Sequence, residues 1–144
     1  MIIYYFSTAH AVEQHSINSS IKTAKMLEKR NELESAISIY KDLLIKDPSN
    51  RIAIRNIKSI YKKQKLYNEG ILFIKERINK YSNDYENYIY LGELYFHNKQ
   101  EVEALSLWRV SIDKFQKERA FYRLMLTTYF RFNLDDEIKF LLNI

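Results

Sequence analysis

The chain has 144 residues, 47% hydrophobic and 28% charged, enough apolar material for one folded domain or a short array of small repeats. Zero Cys excludes disulfides, thiolate metal sites and cysteine nucleophiles, and only two Gly and one Pro argue against sheets and loop-rich folds. The formal charge is +5, yet the charges are scattered with no run of five. They read as solvated, Lys-rich helix faces rather than as a nucleic-acid footprint. The abundance of Ile, Lys, Asn, Tyr and Phe is what an AT-rich coding sequence produces.

Residues 1–16 open with the apolar run Ile2-Ile3-Tyr4-Tyr5-Phe6, without a preceding Lys or Arg and far short of the ~20 residues of a membrane span. The segment reads as neither a leader nor a membrane anchor, and the chain as soluble, in the cytoplasm or an organelle matrix. Phe6 and Ala9 fall where a large and a small residue recur later in the chain. Residues 3–15 are therefore expected to form half of a degenerate repeat covering the first unit.

From Ile17 onward the sequence repeats with a period of about 34 residues, in units 17–50, 51–84, 85–118 and an incomplete 119–144. One column reads Leu27, Tyr61, Tyr95, Tyr129. A small residue follows at Ala36, Gly70 and Ala104, with Ile138 in the fourth unit. Four residues on comes a large apolar one: Tyr40, Ile74, Trp108, Leu142. Its companion column, Ile37, Ile71, Leu105, ends at Lys139, so the fourth unit is degenerate.

Each unit divides into two amphipathic helices, expected near 19–30, 33–46, 51–64, 67–80, 85–98, 101–115, 119–131 and 134–142. Asn in "RNEL", "HNKQ" and "FNLD" marks the bend within a unit, since Asn tolerates left-handed backbone. "KDPSN" closes the first unit, because Pro48 cannot continue a helix and Asp47, Ser49 and Asn50 suit turns and caps. "YSND" does the same for the second.

The pattern resembles the tetratricopeptide repeat family over Ile17–Ile144. The third unit matches best, with Tyr88, Leu91, Gly92, Tyr95, Ala104 and Trp108 at the signature positions, and the first keeps Ala24, Leu27, Ala36, Tyr40 and Pro48. Lys58 and Leu126 depart from the family's Gly or Ala, and Ser82 and Gln116 from its closing Pro. The resemblance implies an all-α fold of antiparallel helix pairs stacked as a right-handed α-solenoid, with Gly92 and Ala104 allowing close helix approach and Trp108 filling the core.

Chemistry is not evident. His10 and His15 lie far from His97, no carboxylate completes a metal set, and no phosphate loop or Gly-x-Ser-x-Gly turn occurs. Glu101, Glu103, Asp135, Asp136 and Glu137 sit at helix starts, where acids favour the dipole. No enzyme activity, cofactor or metal is therefore expected. The resemblance implies protein–protein interaction on a concave face lined by first helices. There it points to Arg55, Asn56, Lys62 and Lys63, to Tyr90 and Phe96, and to Arg123, Phe130 and Arg131. An acidic or carboxylate-bearing segment is the expected partner. The two-carboxylate clamp of chaperone-tail receptors is absent: in one register its positions read Ile21, Lys25, Asn56, Glu86 and Tyr90, in the other Arg55, Ser59, Tyr90, Ala120 and Leu124. Phe140, Leu141 and Leu142 are expected to form an end face covered by a neighbour, making the chain a scaffold subunit or assembly adaptor of a larger complex. The alternative is a basic RNA-associated helical-repeat protein, such as an organellar ribosome component.

Overall fold

The computed structural model describes residues 2–143, with side chains from Gln14 to Asn143. Among these residues the chain is all-α, with eight helices: α1 (Ile2–Lys29), α2 (Leu33–Lys46), α3 (Arg51–Lys63), α4 (Tyr67–Lys80), α5 (Tyr85–His97), α6 (Glu101–Lys114), α7 (Arg119–Arg131) and α8 (Asp135–Leu142). Seven of these agree with the expected helices to within one residue at either end. The first differs: α1 is one continuous helix from Ile2, where a break before residue 19 was expected. No Gly, Pro or turn cluster in "TAHAVEQHSINSS" interrupts the backbone hydrogen bonding of the helix. The expected roles of Phe6 and Ala9 fall on side chains outside the described residues, as does His10.

Two backbone features carry the repeat. α3, α5 and α7 begin at 51, 85 and 119, and α2, α4, α6 and α8 at 33, 67, 101 and 135, all in steps of 34. The non-glycine residues with positive φ are Asn31 (60°), Lys65 (56°), Lys99 (65°) and Asn133 (55°), on the same step. Each ends a helix by turning the chain through the left-handed region. The same cap hydrogen bond recurs there: Glu32 N–H to Leu27 O, Gln100 N–H to Tyr95 O, and Leu134 N–H to Tyr129 O, at 2.9–3.0 Å. In "HNKQ" the left-handed residue is Lys99 rather than Asn98. The Asn98 amide donates instead to Asn68 Oδ1 (3.1 Å) and Gln100 Oε1 (2.8 Å).

The chain divides into two compact units, Met1–Gln64 and Lys65–Ile144. In the first, α2 packs on both α1 and α3. Ala24, Ala36 and Tyr40 are fully buried, and the Tyr40 hydroxyl donates to Glu28 Oε1 (2.6 Å) while accepting from Asn56 Nδ2 (2.7 Å). One phenol thereby ties all three helices together. Asn50 caps α3 by accepting from Ala53 N–H (3.1 Å), and Asp47 accepts from the Ser49 backbone and hydroxyl.

In the second unit α5 packs against α4, α6 and α7, and α8 against α7. Its core gathers Ile89, Ala104, Trp108, Ile112, Phe115, Phe121, Met125, Tyr129, Ile138 and Leu141. Trp108 is completely buried against Gly92, and its indole N–H donates to Ile89 O at 3.1 Å. The repeat register places Leu142 in this core, whereas the structure buries Leu141 (5% exposed) and leaves Leu142 66% exposed. Leu141 lies three and four residues after Ile138 and Glu137, on the same helical face, while Leu142 is turned about 100° away.

Candidate protein-interaction surface

α3 presents its apolar residues Ala53, Ile57, Ile60 and Tyr61 inward. Arg55 and Lys63 consequently face solvent, with Lys62 half-buried between them. Asn56 stands apart, because its amide is held by the Tyr40 hydroxyl (2.7 Å) and it is half-buried. Burial and the neighbouring Glu28 carboxylate push the Tyr40 phenol well above its ordinary range. It therefore remains a donor to Glu28, which fixes the lone pair that Asn56 meets. Asn56 thus orients α3 more than it offers a free amide.

In the second unit Tyr90 and Phe96 lie on α5, and Arg123, Phe130 and Arg131 on α7. Both aromatics of α5 are half-buried. Phe96 stacks on Trp108 with centroids 6.3 Å apart and meets Phe132 at 4.5 Å, so its ring belongs to the packing that holds α5, α6 and the end of α7 together. Phe130 is 63% exposed, an uncommon state for a Phe. Arg123 is exposed as well. Arg131 reaches back across the α5–α7 packing, its Nη1 donating to Glu93 Oε1 at 2.5 Å. The structure thus brings Arg131 onto α5, and much of its charge is balanced by the Glu93 carboxylate.

A second cross-helix pair was not legible in the sequence. Arg109 of α6 donates from Nε (3.1 Å) and Nη2 (2.5 Å) to the two oxygens of Glu137, which is 5% exposed in the first turn of α8. Glu137 thus has a specific partner as well as a favourable place near a helix start. The Arg109 guanidinium also lies over the Phe140 ring, 5.8 Å from its centroid. Of the three residues expected to form an end face, Phe140 and Leu142 are exposed. Leu141 points into the core and is closed to a neighbour.

No group of three or more His, Asp or Glu residues that could hold a metal occurs among the described residues, and no helix there is long and apolar enough to cross a membrane. A small cleft between α1 and α2 is lined by Ser19, Ser20, Thr23 and Asp42 with Lys46, and also by Ile39 and Leu43. No protein-family model matches the chain, and no curated protein matches it either.

Proposed function

We propose that this chain is a non-catalytic protein-interaction scaffold of the tetratricopeptide-repeat type, a subunit or assembly adaptor of a larger complex. The observation that supports the reading is the 34-residue step shared by helix starts and left-handed residues. First helices carry solvent-facing side chains beside their packed ones, Arg55 and Lys63 on α3 and Arg123 and Phe130 on α7. Such surfaces suit extended polypeptide partners better than a reaction, which needs converging reactive groups. Arg55, Lys62 and Lys63 of α3 and Tyr90, Arg123 and Phe130 of α5 and α7 are the groups assigned to the partner. Asn56, Phe96 and Arg131 shape the surface around them.

Purification of the tagged full-length protein from its native source, with RNase treatment and cross-linking mass spectrometry, tests this reading. The expected result is a stoichiometric protein partner that survives RNase and cross-links at Lys62 or Lys63. Association released by RNase would overturn it, as would cross-links confined to the second-helix lysines Lys41, Lys46, Lys75 and Lys80.

A further inference from the structure

The net charge of this protein resides on one helix. α3 holds Arg51, Arg55, Lys58, Lys62 and Lys63, five of the 23 basic residues and none of the 18 acidic ones, so the rest of the chain is electrically balanced. In a helix turning about 100° per residue, Arg51, Arg55, Lys58 and Lys62 (i, i+4, i+7, i+11) fall within an arc of about 60° and span about 16 Å. They lie opposite the buried face formed by Ala53, Ile57 and Ile60, with Arg51 and Arg55 exposed and Lys58 and Lys62 half-buried. Like charges at this spacing destabilise a helix, and α3 carries no acid to offset them.

We propose that the Arg51–Arg55–Lys58–Lys62 stripe is the docking strip for an acidic polypeptide segment, whose Asp and Glu side chains meet the stripe along the length of α3. The proposal rests on the scaffold reading and names the chemistry of its partner. A carboxylate-bearing chain is favoured over nucleic acid by what surrounds the stripe. The only aromatic residue of α3, Tyr61, is buried, so α3 offers no exposed ring on which bases could stack. The exposed neighbour is instead aliphatic: Ile52, 36% exposed and next to Arg51, can meet an apolar side chain of a polypeptide. The two guanidinium groups, both exposed, can each engage a carboxylate in a bidentate pair.

Fluorescence anisotropy with the full chain and a short fluorescein-labelled oligoglutamate tests the proposal. Binding at low ionic strength should weaken as salt is added, and Arg51→Glu/Arg55→Glu should lower affinity by about tenfold or more. Lys117→Glu/Arg119→Glu imposes the same charge change in the second unit and should lower affinity by less than about threefold. Arg51→Lys/Arg55→Lys, which keeps the charge but removes the bidentate fork, should lower affinity by less than the charge reversal does. If the reversal variant does not fold by circular dichroism, Arg51→Gln/Arg55→Gln should move affinity in the same direction. Equal loss in the α3 and Lys117/Arg119 variants would reduce the effect to net charge and overturn the proposal. A labelled RNA that binds and that oligoglutamate does not displace would overturn it in favour of nucleic acid. Oligoglutamate that fails to bind the wild-type protein would also overturn it, while a protein partner surviving RNase would leave the scaffold reading standing.

Discussion

A Cβ built on Gly92 would overlap Nε1 and Cε2 of the Trp108 indole, well inside van der Waals contact. The indole therefore occupies the space that any other side chain at 92 would need, and its N–H reaches Ile89 O on the same helix. The ring cannot retreat, because Tyr129 meets it edge-on at 5.6 Å and Phe96 and Phe132 flank it. Gly92→Ala gains up to about 1 kcal/mol of helix propensity but forces overpacking that costs about 1–3 kcal/mol. The net should be destabilising. Trp108→Ala should cost about 3–5 kcal/mol. Combining Gly92→Ala with Trp108→Phe should cost less than the sum of the two, since the smaller ring yields room for the methyl. Urea denaturation of the wild type, the three single variants and the double variant measures all of this, and additive costs would show that the two residues do not share one space.

The same substitution should have opposite signs at two buried tyrosines. Tyr40→Phe removes the hydroxyl that links Glu28 to Asn56 and should cost about 1–2 kcal/mol. The Tyr129 hydroxyl is buried with no hydrogen-bond partner, so Tyr129→Phe should be neutral or stabilise by about 1 kcal/mol. Chemical denaturation at neutral pH decides it, and equal losses at both sites would contradict the packing of the Tyr129 ring.

Those two phenols also set the alkaline limit of the fold. Burial raises both above the ordinary value of 10, aided by the carboxylates of Glu28 for Tyr40 and Glu137 for Tyr129. A raised folded value means that above pH 10 the unfolded chain releases protons that the folded chain retains. Stability from this source is complete below that pH and declines as pH climbs beyond it. Unfolding free energy from urea titrations should therefore be level near neutral pH and fall above about pH 10. The fall should be shallower in Tyr40→Phe/Tyr129→Phe. A wild-type curve with no alkaline decline would show that the phenols ionise without resistance.

Gly92, Ala104 and Trp108 were legible in the sequence because a small residue and a large one at fixed offsets in adjacent helices are a packing instruction that survives without coordinates. Helix ends were legible for the same reason, recurring every 34 residues. What was lost depends on three-dimensional pairing. Arg131 reads as a free cation until Glu93, 38 residues earlier in the chain, is found 2.5 Å away. Arg109 and Glu137 give no local sign of their bidentate pairing across 28 residues. The α3 stripe was legible in principle, since Arg51, Arg55, Lys58 and Lys62 are spaced i, i+4, i+7, i+11. A search for contiguous runs of charge passes over it, because the helix places together residues that the sequence keeps apart.

Two of the left-handed positions are filled by a residue that resists that backbone. Lys65 and Lys99 adopt φ of 56° and 65°, where a Cβ is penalised by about 1–2 kcal/mol relative to Gly. Lys65→Gly and Lys99→Gly should each stabilise the fold by about 0.5–1 kcal/mol, net of the extra freedom Gly gives the unfolded chain. Asn31→Gly should gain less, because Asn already tolerates the conformation. Thermal unfolding of the three variants checks the order, and a loss of stability at Lys99 would mean that its side chain contributes more than the strain it imposes.

The last residues of α8 separate two roles that the sequence assigned together. Leu141 is 5% exposed and packs in the core with Met125, Tyr129 and Ile138, whereas Leu142 is 66% exposed and Phe140 lies beneath the Arg109 guanidinium. Leu141→Lys buries an ammonium in that core, so it should undock α8 and cost about 2–5 kcal/mol, as loss of a buried leucine does. Leu142→Lys replaces an exposed side chain and should leave stability within about 0.5 kcal/mol. Hydrogen exchange reports on α8 directly, through the amides of Ile138 and Asn143 that bond to Leu134 O and Phe140 O. In Leu141→Lys these amides should exchange at rates approaching those of an unfolded segment while Trp108 remains buried, and in Leu142→Lys they should keep wild-type protection. Unchanged protection in both variants would place Leu141 outside the core and return it to the exposed end of the helix beside Leu142.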